Sequence, residues 1–181
     1  MSRLIVSTAM TLDGVISVED WYVPGGGHDR AGLEQFDQAA ALLLGRKTYE
    51  GLAGYWSPLT GEWADRINPM KKFVASRTLE EPLTWNATLI EGDLPVPVSR
   101  LKEGLDGDLL SVGCGELALD LVVHGLVDEL RFWVHPAVWG SGTRPFEGDA
   151  RVRLQLLGSE TFDTGVLLLR YKPTFEALEA K

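Results

Sequence analysis

Two stretches of this 181-residue chain place glycines where a strand would give way to a helix, and the first adds two cations and a hydroxyl. In the first, Leu42 to Leu44 are followed by Gly45, Arg46, Lys47 and Thr48, with Tyr49 and Leu52 spaced for the inner face of a helix. An apolar run without alternation suits a strand buried on both faces, and Gly45 breaks it. The first N–H groups of a helix lack intrahelical partners and carry the positive end of its dipole, so such a start favours a bound anion. In the second stretch, DLLSV at Asp108 to Val112 runs into Gly113, Cys114 and Gly115, then into ELALDLVVH, Glu116 to His124, at helical spacing. Strand, Gly-x-Gly and helix start together let backbone N–H groups approach a pyrophosphate. Glu116 would repel a phosphate there, so it reads as a first-turn acid pointing away from the ligand. A plain strand, turn and helix with exposed charge is the competing reading of both stretches.

A third candidate is Ser76-Arg77, at the carboxyl end of the strand KKFVAS, where a hydroxyl and a guanidinium fork suit a ribose phosphate. Two acids stand near other strand or helix ends. Asp13 closes the first strand in the turn Thr11 to Gly14. Ligands collect beyond the carboxyl ends of parallel strands, so Asp13 is a candidate for substrate contact or proton delivery; bracing its own turn is the alternative. Asp29 follows a loop, Ser17 to His28, that holds Trp21, Tyr22 and three consecutive glycines. That loop can be a mobile cover over a flat ligand or a packed surface loop, and Asp29 can bind substrate or simply cap the next helix. Cys114 has no histidine beside it in sequence and reads as a small turn residue, not a nucleophile.

The elements that must position these residues alternate between apolar strands and helices. The first strand spans Arg3 to Met10, a helix runs from Asp29 to about Ala40, and another starts at Arg46. A short helical piece at Trp63 to Ile67, strands at Lys71 to Ser76 and Thr88 to Ile90, and a helix at Val98 to Glu103 follow. After the second glycine turn, Val127 to His135 is a strand, and Phe146 anchors the next turn in the core. Arg151 to Leu157 and Val166 to Tyr171 form an antiparallel hairpin at a sheet edge, and the tail frays from Pro173.

With 45% hydrophobic residues, the chain fits one domain over residues 1–181. Its apolar runs are shorter than a membrane span, its start lacks a signal-peptide pattern, and its one cysteine suits a reducing compartment, so a cytoplasmic protein without membrane contact is expected. His28, His124 and His135 lack metal-ligand spacing, so no metal site is expected. A net charge of −9 argues against nucleic acid as a partner. It leaves room for one small anion held by Arg46, Lys47 and Arg77.

Five segments together resemble a known family: STAMTLDGVIS at Ser7 to Ser17, LLGRKTYEGL at Leu43 to Leu52, KKFVASRTL at Lys71 to Leu79, VGCGELALDLVVHGLVDELR at Val112 to Arg131, and HPAVWGSGTRPF at His135 to Phe146. In this order they look like the dihydrofolate reductase-like superfamily. The nearest branch is the C-terminal reductase domain of the bifunctional riboflavin-biosynthesis deaminase–reductase. The resemblance implies a three-layer α/β fold, a mixed and mainly parallel sheet flanked by helices with an antiparallel C-terminal hairpin. It also implies hydride transfer from NADPH to a C=N or C=O of a small heterocycle, as in 5-amino-6-(5-phosphoribosylamino)uracil reductase or a pteridine reductase.

By the same resemblance Gly45, Arg46, Lys47 and Thr48, with Gly113, Cys114, Gly115, Glu116 and Leu117, hold the cofactor phosphates. Ser76 and Arg77 match the adenosine 2′-phosphate position, and Thr8, Ala9 and Ile16 match positions lining the nicotinamide. The substrate is expected to stack under Trp21 or Trp56, with Asp13 or Asp29 supplying or steering a proton directly or through water. The sequence carries no zinc signature of the fused deaminase. A non-catalytic nucleotide-binding module is the alternative. Exposed apolar residues on the C-terminal strands suggest a homodimer.

Overall fold

Leu42, Leu43 and Leu44 are fully buried because their strand runs through the middle of a sheet covered by helices on both faces. The computed structural model describes residues 2–147 and 151–174. The elements are β1 (Leu4–Thr11), α1 (Gly26–Asp37), β2 (Ala39–Gly45), α2 (Arg46–Trp56), α3 (Glu62–Ile67), β3 (Lys71–Ala75) and β4 (Ala87–Ile90). They continue with α4 (Pro95–Gly104), β5 (Asp108–Val112), α5 (Glu116–Val123), β6 (Glu129–His135), β7 (Arg153–Thr161) and β8 (Leu167–Thr174). The strands lie in the order β4-β3-β2-β5-β1-β6-β8-β7. Pairing is parallel from β4 to β6 and antiparallel at β6–β8 and β8–β7. The α/β class, the mainly parallel sheet and the C-terminal hairpin thus stand as expected.

Alternation along each strand divides the core in two. Leu4, Val6, Leu43 and Leu109 pack with Val98 of α4 and Leu121 of α5. Ile5, Leu42, Leu44 and Leu110 pack with Tyr49 of α2 and Ile67 of α3 on the other face. Phe146 packs partly buried against the first of these, as its place in the sequence suggested. The pairings Gly45 with Ala75 and Leu43 with Ser111 end β2, β3 and β5 at one level, while β1, whose Ser7 pairs with Val112, runs on to Thr11 beside β6. The segments after these strands therefore leave the sheet side by side. No helix among the described residues is long and apolar enough to cross a membrane.

Several boundaries shift from the sequence reading; β7 spans Arg153–Thr161 in place of Arg151 to Leu157, and two other shifts have a clear cause. Helix α1 starts before Asp29 and stops at Asp37, because β2 begins at Ala39, paired with Asp108 of β5, and takes Ala40 into extended backbone. Pro173 does not begin a frayed tail; it pairs with Leu154 inside β8. It lies beyond Tyr171, the last residue that β6 pairs, so a missing N–H is tolerated there. The rest of the expected tail, 175–181, falls outside the described residues.

One buried cation locks the layer under β3. Lys72 is fully buried, and its Nζ donates to the carbonyls of Ile67 (2.7 Å), Asn68 (3.0 Å) and Met70 (2.7 Å) while lying 4.1 Å from the Trp85 ring centroid. The last carbonyls of α3 have no intrahelical donors, and the ammonium supplies them. Burial pulls its pKa down to about 8. Lys72→Met takes the donor from the Ile67 and Asn68 carbonyls, while Met70 keeps Asn86 Nδ2 at 3.1 Å, and the expected cost is about 2 kcal/mol, read in a thermal melt as a Tm lower by roughly 4–8 °C. An unchanged Tm would show that the carbonyls find other donors.

Candidate functional site

A cavity of about 940 Å³ opens at the carboxyl ends of β2, β3 and β5. Two helix starts border it. Helix α2 begins at Arg46 after Gly45, and α5 begins at Glu116 after Gly115, and neither N-terminus has a side-chain cap. Gly113 turns the chain with φ +91°, a conformation that excludes most side chains, and a Cβ there would stand 3.7 Å from Thr48 Oγ1. The two turns therefore face one another, with unpartnered backbone N–H groups on both. Such a pairing suits a ligand with adjacent negative charges.

Most of the cofactor set read from the sequence lines this cavity: Gly45, Arg46, Lys47 and Thr48 on one side, Gly113, Gly115, Glu116 and Leu117 on another, and Ser76 with Arg77 beyond β3. Ser76 Oγ accepts from the N–H groups of Thr78 and Leu79, both at 3.1 Å, and so shapes its turn. Glu116 does not point away as its repulsion of a phosphate suggested. It lines the cavity and reaches Lys47 at 3.5 Å, because a cation on the neighbouring helix start attracts it. Arg46 likewise meets Glu50 at 3.9 Å.

Four of the set lie outside the lining. Cys114 is fully buried, and burial pushes its thiol up to about 12, which leaves it a packed and unreactive side chain. Thr8 is buried in β1, with its Oγ1 3.2 Å from the Ala9 carbonyl, and Ala9 packs near Trp133. Ile16 rests against the core, and its N–H donates to the Thr143 carbonyl at 2.8 Å.

The four substrate-side residues are dispersed, and none lines the cavity. Asp13 accepts from Thr11 Oγ1 (2.6 Å), Trp139 N–H (3.0 Å) and Gly140 N–H (2.7 Å). These donors, Thr11 foremost, hold its carboxyl down at about 2. It is an ionised clamp between its own turn and the loop after β6. Its stabilising contribution is complete above the ordinary carboxylate range and is lost as pH falls toward 2. Asp29 sits in the first turn of α1, where it accepts from Tyr22 Oη (3.0 Å) and from Gly25 N–H. Burial, with Asp29 beside it, raises the Tyr22 phenol pKa.

Trp21 is buried, with its Nε1 donating to the Ser17 carbonyl at 2.8 Å and its ring edge-on to His135 at 5.2 Å. Trp56 stacks on Trp63 at 6.4 Å, in the aromatic packing between α2 and α3. His135 is itself fully buried, accepts from Val23 N–H at 3.3 Å, and is kept neutral by burial, with a pKa near 4. Among the described residues there is no group of three or more His, Cys, Asp or Glu side chains able to hold a metal ion.

Sequence reasoning missed two parts of the wall. Gly92, Asp93 and Leu94 follow β4, and Thr143, Arg144 and Glu147 come from the loop after β6. The Gly140-Ser141-Gly142 turn marked that loop in the sequence, but nothing local shows that Phe146 N–H will donate to the Cys114 carbonyl (3.2 Å) and draw it over the glycine turn.

The strand order and the cluster of turns at the ends of β2, β3 and β5 define a dihydrofolate reductase-like fold. Within it, the chain belongs to the RibD C-terminal domain family, which matches residues 2–168. The uncharacterised protein YyaP of Bacillus subtilis (strain 168) is 30% identical, with 93% of this chain and 94% of that protein covered. A Shewanella sp. PV-4 protein provisionally assigned to riboflavin biosynthesis superposes with a TM-score of 0.76 at 22% identity, over 96% of this chain and 99% of its own. The deaminase/5-amino-6-(5-phosphoribosylamino)uracil reductase of Thermotoga maritima gives a TM-score of 0.68 at 16% identity, over 96% of this chain and 57% of that one.

The Lys47–Glu116 contact makes one outcome measurable. Glu116→Gln frees Lys47 and removes a negative charge from the rim, so inorganic pyrophosphate should bind roughly 2- to 5-fold more tightly in calorimetry at low ionic strength. Equal affinity would put the carboxylate out of the anion's reach.

Proposed function

We propose that this chain is an NADPH-dependent reductase acting on a C=N or C=O of a small heterocycle, most like 5-amino-6-(5-phosphoribosylamino)uracil reductase. The observation that carries the reading is the convergence of two uncapped helix starts and the Ser76-Arg77 turn on one cavity. Family membership and the reductase activity named for the Thermotoga maritima relative support it.

In this reading Gly45 to Thr48 and Gly113 to Leu117 bind the pyrophosphate through backbone N–H groups, with Arg46 and Lys47 adding charge. Ser76 and Arg77 take the adenosine 2′-phosphate. Thr8, Ala9 and Ile16 belong to the nicotinamide end, at the carboxyl end of β1. The bound dinucleotide supplies the hydride. The protein's share is to orient the two reactants and exclude water, with Trp21 and Tyr22 closing the β1 side. Asp13, fixed by its donors, or Asp29 supplies or steers the matching proton, directly or through water.

Titration with NADPH and NADH, followed by nucleotide fluorescence, tests the cofactor. NADPH should bind in preference, and Arg77→Ala should weaken it roughly 10- to 100-fold while leaving NADH unchanged. Oxidation of NADPH with a panel of pyrimidine and pteridine carbonyls or imines tests turnover. Binding without oxidation would favour a nucleotide-binding module, which the dispersal of Asp13, Asp29, Trp21 and Trp56 away from the cavity also fits. No binding of either nucleotide would remove the reductase reading.

We also propose a homodimer formed through the C-terminal hairpin. Strand β7 is an edge strand exposed on both faces, and Leu156, 55% exposed, lies opposite Tyr171 on β8. Leu156→Glu should convert a dimer into a monomer in sedimentation velocity with the Tm nearly unchanged. A wild-type monomer would end this proposal.

A further inference from the structure

Arg144 lines the cavity beside the end of β1, whereas Ser76 and Arg77 line it beyond β3. Strands β5 and β2 lie between β1 and β3, so β1 and β3 themselves stand three strand spacings apart, about 14 Å. The Arg144 guanidinium has five N–H donors. It uses Nη1 on the Asp13 carbonyl and Nη2 on the Gly140 carbonyl (3.4 Å). Among the described residues no carboxylate pairs with it; Glu147 Oε1 accepts instead from the Arg144 backbone N–H at 3.2 Å. Carbonyl partners orient a guanidinium without cancelling its charge. Arg46 and Lys47, by contrast, already carry carboxylate partners.

The segment that bears Arg144 is fastened at both ends. Asp13 holds the N–H groups of Trp139 and Gly140, Thr143 accepts from Ile16 N–H, and Phe146 donates to Cys114. Gly142, at φ +138°, lies so close to the β1 turn that a Cβ would stand 2.5 Å from Val15 Cγ1 and 2.7 Å from Ser17 Oγ. The arginine is thus pre-positioned, and little ordering remains to be done when a ligand arrives.

We propose that Arg144 is a further anion-binding residue of this cavity, taking a phosphate group at the β1 end, and that Asp13 is its positioning residue. The inference deepens the reductase reading and rests on it for the identity of the phosphate. That phosphate belongs either to the nicotinamide half of the dinucleotide or to a substrate bound beside it. Both present the same chemistry, a tetrahedral oxyanion matched by the guanidinium fork.

The test is calorimetry with fragments at fixed ionic strength on the full chain. Adenosine 2′,5′-bisphosphate reads the Ser76-Arg77 end, nicotinamide mononucleotide reads the β1 end, and ribose 5-phosphate is titrated into protein saturated with NADP⁺. Arg144→Met should weaken nicotinamide mononucleotide or ribose 5-phosphate by about 10-fold or more. Adenosine 2′,5′-bisphosphate should stay within about 2-fold, as expected for distant sites. Loss confined to the mononucleotide assigns Arg144 to the cofactor; loss confined to ribose 5-phosphate assigns it to the substrate. Asp13→Asn, which keeps the arginine, should weaken the same probe in the same direction, and Arg144→Lys should recover part of the affinity. If both β1-end probes bind Arg144→Met as they bind the wild type, or if the wild type takes neither, the proposal is overturned. Failure of adenosine 2′,5′-bisphosphate to bind the wild type removes the dinucleotide reading instead. In that case inorganic phosphate is the probe for Arg144, and equal binding by wild type and Arg144→Met overturns the anion site.

Discussion

The register of the parallel strands is the constraint on which the cavity depends. Gly45, Ser76 and Gly113 are far apart in sequence, and only the in-register pairing of β3, β2 and β5 ends those strands at one level. A slip by one residue would send each strand's side chains to the opposite face. A slip of β2 would set Ala41 or Gly45 where a leucine now packs and leave a void in the core. At the other end of the sheet, Arg3 of the β1 entrance reaches Asp108 of β5 at 2.5 Å and Glu129 of β6 at 3.3 Å, so a charged tie crosses three adjacent strands. Packing sets the register, and the register sets the distance between the turns.

Within a chain of net charge −9, the cavity wall is balanced, with Arg46, Lys47, Arg77 and Arg144 set against Asp93, Glu116, Asp120 and Glu147. Its cations are handled in two ways. Arg46 and Lys47, on the helix starts, lean on nearby carboxylates. Arg144 is held by backbone carbonyls and by a loop whose own geometry is set by Asp13. The first arrangement tempers attraction for an anion, and the second preserves it.

What was legible in the sequence follows from how local each signal is. A leucine run, a glycine and a basic helix start are contiguous, and so are DLLSV and its Gly-x-Gly turn; both fold as read. The C-terminal hairpin was readable as two strands joined by a short turn, whereas the order of the parallel strands, set by pairing between distant segments, left no local mark. Glu116 was misjudged from repulsion by a ligand alone, since the cation that attracts it sits on another helix. Asp13 shows the limit most clearly. Its turn was visible, but two of its three carboxylate donors come from residues more than a hundred positions away. Arg144 had no signal of its own for the same reason.

Cys114 is the chain's sole cysteine, fully buried in the turn between β5 and α5, and its carbonyl receives the loop that carries Arg144. A buried thiol reacts with a disulfide reagent only when its surroundings open. The native protein therefore carries a built-in reporter in the core beneath the glycine turn that borders the cavity. The rate at which that one sulfur is modified measures how often the glycine turn breathes, residue-specifically and without an added label. Any molecule that rests on the turn will slow the reaction in proportion to how firmly it holds the turn closed.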